Sequence, residues 1–144
     1  MRTISKRRGV IMLLLMAALV LSACGSPAGT PQTVTVNVTL TEFKITSSVQ
    51  TFHVGIPYHF VVSNKGTVEH EFYIMPPESA QITQDQVKQD ALAGIPPAQL
   101  QPGQSATLDY TFTKAAPSGT LEFACHLAGH YDSGMHLPIT VQSP

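Results

Sequence analysis

Cys125, His130 and Met135 fall within eleven positions near the C-terminus of a 144-residue chain, and His70 stands alone upstream. Two imidazoles, one thiolate and one thioether form a donor set that strongly favours copper. Cu(II) prefers tetragonal nitrogen and oxygen sites, Cu(I) accepts soft sulfur, and a trigonal His2Cys plane with a distant Met lies between the two. Little then has to move when one electron passes. Four protein donors leave no obvious open position for a substrate, and one copper cannot supply the several electrons that reduce oxygen to water. The pattern points to an electron carrier rather than an enzyme.

Other uses of these residues fit the pattern less well. A copper carrier that delivers metal would use the same soft donors, but such chemistry usually draws on clusters of Met and His. Beyond the N-terminal segment the chain has only Met75 and Met135. One Cys and two His also admit zinc, for which a thioether is a poor donor. A Cys-His hydrolase would need an orienting Asn or Asp and an oxyanion motif, and neither is visible near Cys125 and His130.

The chain begins with a different kind of signal. Arg2, Lys6, Arg7 and Arg8 form a basic stretch, residues 10–21 are apolar, and Leu21-Ser22-Ala23 precede Cys24. This order reads as an export signal over 1–23. Leu21-Ser22-Ala23-Cys24 also resembles the lipobox of bacterial lipoproteins, which implies lipidation of Cys24 and a membrane anchor outside the cytoplasm. Residues 24–32 are rich in Ser, Pro, Ala and Gly and form a flexible tether. With Cys24 lipidated, Cys125 is the one thiol left. A lone thiol outside the cytoplasm is exposed to oxidation, and metal ligation explains its presence. The remaining domain, 33–144, sets four lysines against nine acids, a net charge near −5. That balance argues against nucleic acid as a partner and suits a basic docking patch on another protein.

The elements that must position the donors read as β-strands. Val34, Val36, Val38 and Leu40 alternate with polar residues over 33–40, and further strands are expected at 42–46, 51–54, 58–63, 68–75, 106–113, 120–125 and 135–142. One short helix is expected inside 77–102, opened by Thr83 and Gln86 as a capping box, with Val87, Ala91 and Leu92 toward the sheets. Parity puts His70 with Val68, Phe72 and Ile74 on an inward face, Cys125 with Leu121 and Phe123, and Met135 with Leu137, Ile139 and Val141. By the same rule Glu69, Glu71, Glu122, His126 and His136 point outward, the two histidines as solvated surface residues. His53 and His59 flank a turn and take structural roles.

These residues resemble those of the cupredoxins, the small blue-copper domains. The likeness lies in residues 64–72, in Phe123-Ala124-Cys125, and in Gly129-His130-Tyr131 with Gly134-Met135. The Cys-x4-His-x4-Met spacing is most similar to the auracyanin and rusticyanin type of ligand loop. The resemblance implies an all-β, Greek-key β-sandwich of about eight strands holding one type 1 copper through His70, Cys125, His130 and axial Met135. It further implies tight bends at Gly129 and Gly134 and no fifth ligand from position 69, where Glu69 replaces the glycine of azurins. It also implies electron exchange through the histidine nearest the surface, here His130 with Leu127, Ala128, Tyr131 and Pro138 around it. A cytochrome or terminal oxidase subunit is the expected partner of a monomeric protein.

Overall fold

Val36, Val38 and Leu40 bury along one face of the first strand while their neighbours stay outside, as the alternation requires. The computed structural model describes residues 32–144; the export signal, Cys24 and nearly all of the tether lie outside the described residues. In chain order the elements are β1 (Val34–Thr41), β2 (Lys44–Ser47), β3 (Thr51–His53), β4 (Pro57–Asn64), β5 (Phe72–Met75), α1 (Gln84–Asp90), β6 (Ala93–Ile95), a 3-10 turn (Pro97–Gln99), β7 (Ser105–Thr111), β8 (Ala116–Ala124) and β9 (His136–Gln142).

The strands form two sheets, in the orders β2-β1-β4-β7 and β3-β9-β8-β5-β6. β1 with β4 and β3 with β9 are parallel, and every other pair among the described residues is antiparallel. The inner faces of both sheets share one core. Phe52 is its hub, with ring centroids 4.9 Å from Tyr58, 5.0 Å from Phe112 and 5.8 Å from Phe60 and Phe123. A β-sandwich with one short helix is therefore the architecture, as expected.

A second, smaller core covers the outer face of the five-stranded sheet, where Val87 and Ala91 of the helix segment pack as expected. Val87 of α1 packs with Tyr73, Met75 and Ala124. The Thr83 half of the expected capping box forms, Thr83 Oγ1 accepting from Gln86 N at 3.2 Å, while the Gln86 side chain donates instead to Asp90 Oδ2 at 2.8 Å; Asp85 lies in the first turn and Lys88 in the last. Leu92, however, is 49% exposed, because its backbone N–H is taken by Ile74 O as the chain enters β6. β6 raises the strand count to nine among the described residues. Three residues carry no readable period, and their pairing depends on Gly94, where a Cβ would meet the Tyr73 ring at 1.9 Å.

Two corrections follow from this covering layer. β5 starts at Phe72, and residues 68–71 form a coil, so strand parity fails there: Val68 is 42% exposed while Glu71 is fully buried. Glu122 and His126 are buried too, although parity faces them away from the sandwich core. Outward on a strand means toward solvent only when nothing packs on that side.

Candidate metal centre

Asn64, the last residue of β4, fastens the coil that carries His70. Fully buried, it donates from Nδ2 to the carbonyls of Val68 and Leu100 at 2.8 Å each and accepts from Gly66 N at 2.8 Å. His70 N donates to Leu100 O at 3.2 Å. The second loop closes on itself: Cys125 N donates to Met135 O and Met135 N to His130 O, each at 3.1 Å. Gly129 and Gly134 take φ of 79° and 93°, where an L side chain is strained, so the two bends fall where glycine stands.

These two supports bring three donors together. His70, Cys125 and His130 place their ligating atoms within 4.8 Å of one another. His70 Nδ1 lies 3.3 Å from His130 Nδ1, which lies 3.4 Å from Cys125 Sγ. His70 and Cys125 are fully buried and His130 is half-buried. Met135 is fully buried in the same core as Cys125. Burial pushes the Cys125 thiol up to about 11 and holds both imidazoles below the usual histidine range, with His130 adding to the effect on His70. The pocket is thus a neutral, dry set of soft donors, whose thiol gives up its proton when a cation arrives.

The outer contacts include residues that carried no signal in the sequence. Glu71 Oε1 accepts from His126 N at 2.8 Å and from Gln84 Nε2 at 3.1 Å, which ties the His70 coil to the residue after Cys125. Burial raises the Glu71 carboxyl above its ordinary range. Glu42, in the β1–β2 turn, accepts from both the backbone and the hydroxyl of Thr67, and the backbone bond above all holds its carboxyl down at about 2. Phe43 beside it has φ 57° and sets its ring edge-on to His130 at 5.4 Å. One turn therefore reaches toward both imidazoles.

Gly66 makes that approach possible. A Cβ there would lie 2.8 Å from Glu42 Oε1 and 3.1 Å from His70 Nε2, a buried nitrogen with no hydrogen-bond partner among the described residues. Outer contacts of ligating histidines are worth about 10- to 100-fold in metal affinity. A Gly66→Ala protein is accordingly expected to bind copper about tenfold more weakly while keeping its fold, as competition with a chelator and circular dichroism would show. Unchanged affinity would remove Glu42 and Gly66 from the site.

The remaining histidines stay away from the cluster. His59 Nδ1 meets Asp109 Oδ1 at 2.6 Å across β4 and β7, and His53 is exposed. His136 is exposed as expected and lies 3.2 Å from Glu122 Oε2. His126 is not a solvated residue: it is buried and stacked on Tyr131. That stacking draws Tyr131 to the helix side of the sheet, where it packs on the second core.

No family model matches the chain. It is 54% identical over 43 residues to the copper-resistant cuproprotein CopI of Pseudomonas aeruginosa, a match over 30% of this chain and 22% of that protein. To the copper-resistant cuproprotein CopI of Rubrivivax gelatinosus it is 33% identical over 84 residues, 56% of this chain and 49% of that one. The chain spans about half or less of the length of these curated relatives. Among solved structures it resembles auracyanin from Roseiflexus castenholzii (TM-score 0.57, 19% identity, 79% of this chain and 99% of that one). Auracyanin A, a blue copper protein from Chloroflexus aurantiacus, gives a TM-score of 0.59 at 17% identity over 77% of this chain and all of that one. Reduced rusticyanin gives 0.53 at 19% identity over 80% of this chain and 81% of that one. The fold is the cupredoxin β-sandwich.

Proposed function

We propose that the protein is a type 1 copper electron carrier, held on the extracytoplasmic side of a bacterial membrane by a lipid on Cys24. The observation that carries this reading is the convergence of His70 Nδ1, His130 Nδ1 and Cys125 Sγ in a buried pocket. Nitrogen, nitrogen and thiolate sulfur fit copper, and Met135 is the axial donor in this proposal. Copper, when bound, supplies a one-electron Cu(II)/Cu(I) couple. The chain's own part is to fix the donors so that neither oxidation state reorganises the pocket, and to exclude water and reactants. The loop bonds at Cys125 N and Met135 N and the Asn64 clasp do the first. Full burial of His70, Cys125 and Met135 does the second.

His130 is the half-buried member and offers the shortest way out. Phe43, 45% exposed, stands edge-on beside it, and Ala128 is exposed on the ligand loop. Phe43 and Ala128 make a small apolar contact, with the exposed carboxylate of Glu42 beside it, that suits brief docking of a cytochrome or oxidase subunit, since transient redox contacts are small. An Ala128→Glu protein should exchange electrons with such a partner about tenfold more slowly, with an unaltered copper spectrum. An unchanged rate would count against the patch.

The reading is tested by loading the protein with Cu(II). An intense blue thiolate-to-copper band that vanishes reversibly on reduction, with a reversible one-electron wave, is the expected result. The match to copper-resistant cuproproteins favours a second reading, a carrier that hands copper on. That protein would surrender Cu(I) readily to a competing chelator and show no stable redox cycle.

A further inference from the structure

The strand directions put the donors and the start of the domain at opposite ends of the sandwich. β4 and β8 run toward the metal centre, while β5 and β9 run away from it. β1 lies parallel to β4, with Val34 beside Tyr58, so β1 starts at the far end. That end is braced: Val54 N donates to Gln142 O and Gly55 N to Phe112 O, each at 2.9 Å. β4 is eight residues long, which sets the two ends about 25 Å apart.

The two ends differ in charge. Glu42, Glu69 and Asp132 stand around the donors, whereas the far-end loops, 54–56 and 112–119, hold no acid and one charged side chain, Lys114. The acids next to this region, Asp90 before Leu92 and Asp109 on β7, are engaged by Gln86 and His59. Apolar surface is exposed there as well. Val34 and Leu92 are 38% and 49% exposed. Leu92 opens onto a groove formed with Tyr110, Phe112, Ala115 and Leu121, and the exposed Lys114 stands beside it.

We infer that this far end is a membrane-contact face, which rests on the phospholipid bilayer and points the metal centre away from it. The inference rests on the Cys24 anchor proposed above. Ten residues separate Cys24 from Val34. A Gly- and Ser-rich chain of that length reaches about 18 Å on average and about 35 Å at most. The far end is therefore the part of the domain held nearest the bilayer, at an effective concentration on the order of millimolar, where a weak contact suffices. Lys114 can lay its stem along the groove and its ammonium on a lipid phosphate. An anionic bilayer also repels the acidic metal end, which favours the same orientation. A bilayer fits this face better than a partner protein does, because the anchor already brings the bilayer to it. His130 then opens to the aqueous side, where soluble redox partners reach it.

Magnetic resonance of the full lipidated, copper-free chain in nanodiscs of phosphatidylethanolamine and phosphatidylglycerol tests it. A lipid with a gadolinium-chelating headgroup should erase the amide signals of Val34, Gly55, Ala115 and Ser118 while those of Ala128 and Gly129 stay sharp. Uniform loss, or loss centred elsewhere, overturns the face. Inserting about ten Gly and Ser residues after Gly25 should leave this map unchanged. A map that turns uniform would mean that the short tether alone sets the orientation, which also overturns the face. In the lengthened chain, Lys114→Glu combined with Leu92→Asp, both at exposed positions, should abolish the contrast between the two ends. A contrast that survives counts against the contact. The mass of the exported chain checks the anchor separately. Without lipid on Cys24 the anchor reading fails, and the face then stands or falls on whether the unlipidated chain gives the same map with the same nanodiscs.

Discussion

A Cys125→Ser protein is expected to lose the blue absorption completely and to bind copper at least about a thousandfold more weakly, some 4 kcal/mol. Among the four donors, the thiol is the one that can carry a negative charge. Both histidines are held below their usual range by burial, and the Met135 thioether is neutral, so only Cys125 can become anionic when the ion enters. Burial has already raised that thiol to about 11, which means the thiolate forms only in company with a cation. A serine hydroxyl does not ionise under these conditions. The ion would meet only neutral donors, with no anion bound to it directly, and the thiolate-to-copper transition would have no thiolate to begin from. Absorbance titration against a competing chelator measures both losses. Retained affinity and colour would sink the whole assignment.

The second large effect is on the framework. Phe52→Ala should destabilise the copper-free protein by about 3–5 kcal/mol, a large share of the roughly 5–15 kcal/mol expected of a domain this size. β3 is only three residues long, and its central side chain is fully buried against Tyr58, Phe60, Phe112 and Phe123. Removing the ring leaves a cavity bordered by both sheets, which cannot close without moving one on the other. Phe52 is also paired with Val141 of β9, the strand that leaves the ligand loop just after Met135, so loosening reaches the donors. Denaturant unfolding without copper is the right measurement, because bound metal would stabilise parent and variant by mass action. Leu92→Ala, at an exposed side chain, serves as the control and should shift stability by less than about 0.5 kcal/mol. A Phe52→Ala protein as stable as that control would mean the two sheets do not share the core described.

Much of the sandwich was legible because alternation is a local property. Val36, Val38 and Leu40 in β1, and Ile139 and Val141 in β9, lie inside as their period demands. The Thr83 cap was legible for the same reason, being a bond between residues three apart. β6 was hidden because three residues carry no period. The coil at 68–71 was misread as strand because Val68, His70 and Phe72 alternate by chance; what shapes the coil is Asn64 and the carbonyl of Leu100, thirty-six residues further on.

Donor types, their spacing and the glycine bends between them were determined by the sequence, since a metal's preferences are for atoms and a loop's reach is set by residue count. Only the tertiary structure decided what surrounds them. A strand's period states which two sides its residues face, never what lies on either side. That His126 and Glu71 are buried depends on α1 and the segment around it folding over the outer sheet face. That Glu42 and Phe43 approach the imidazoles depends on a turn twenty-seven residues before His70 meeting the loop sixty residues after it. Such neighbours are brought together by packing over distances that no local pattern records.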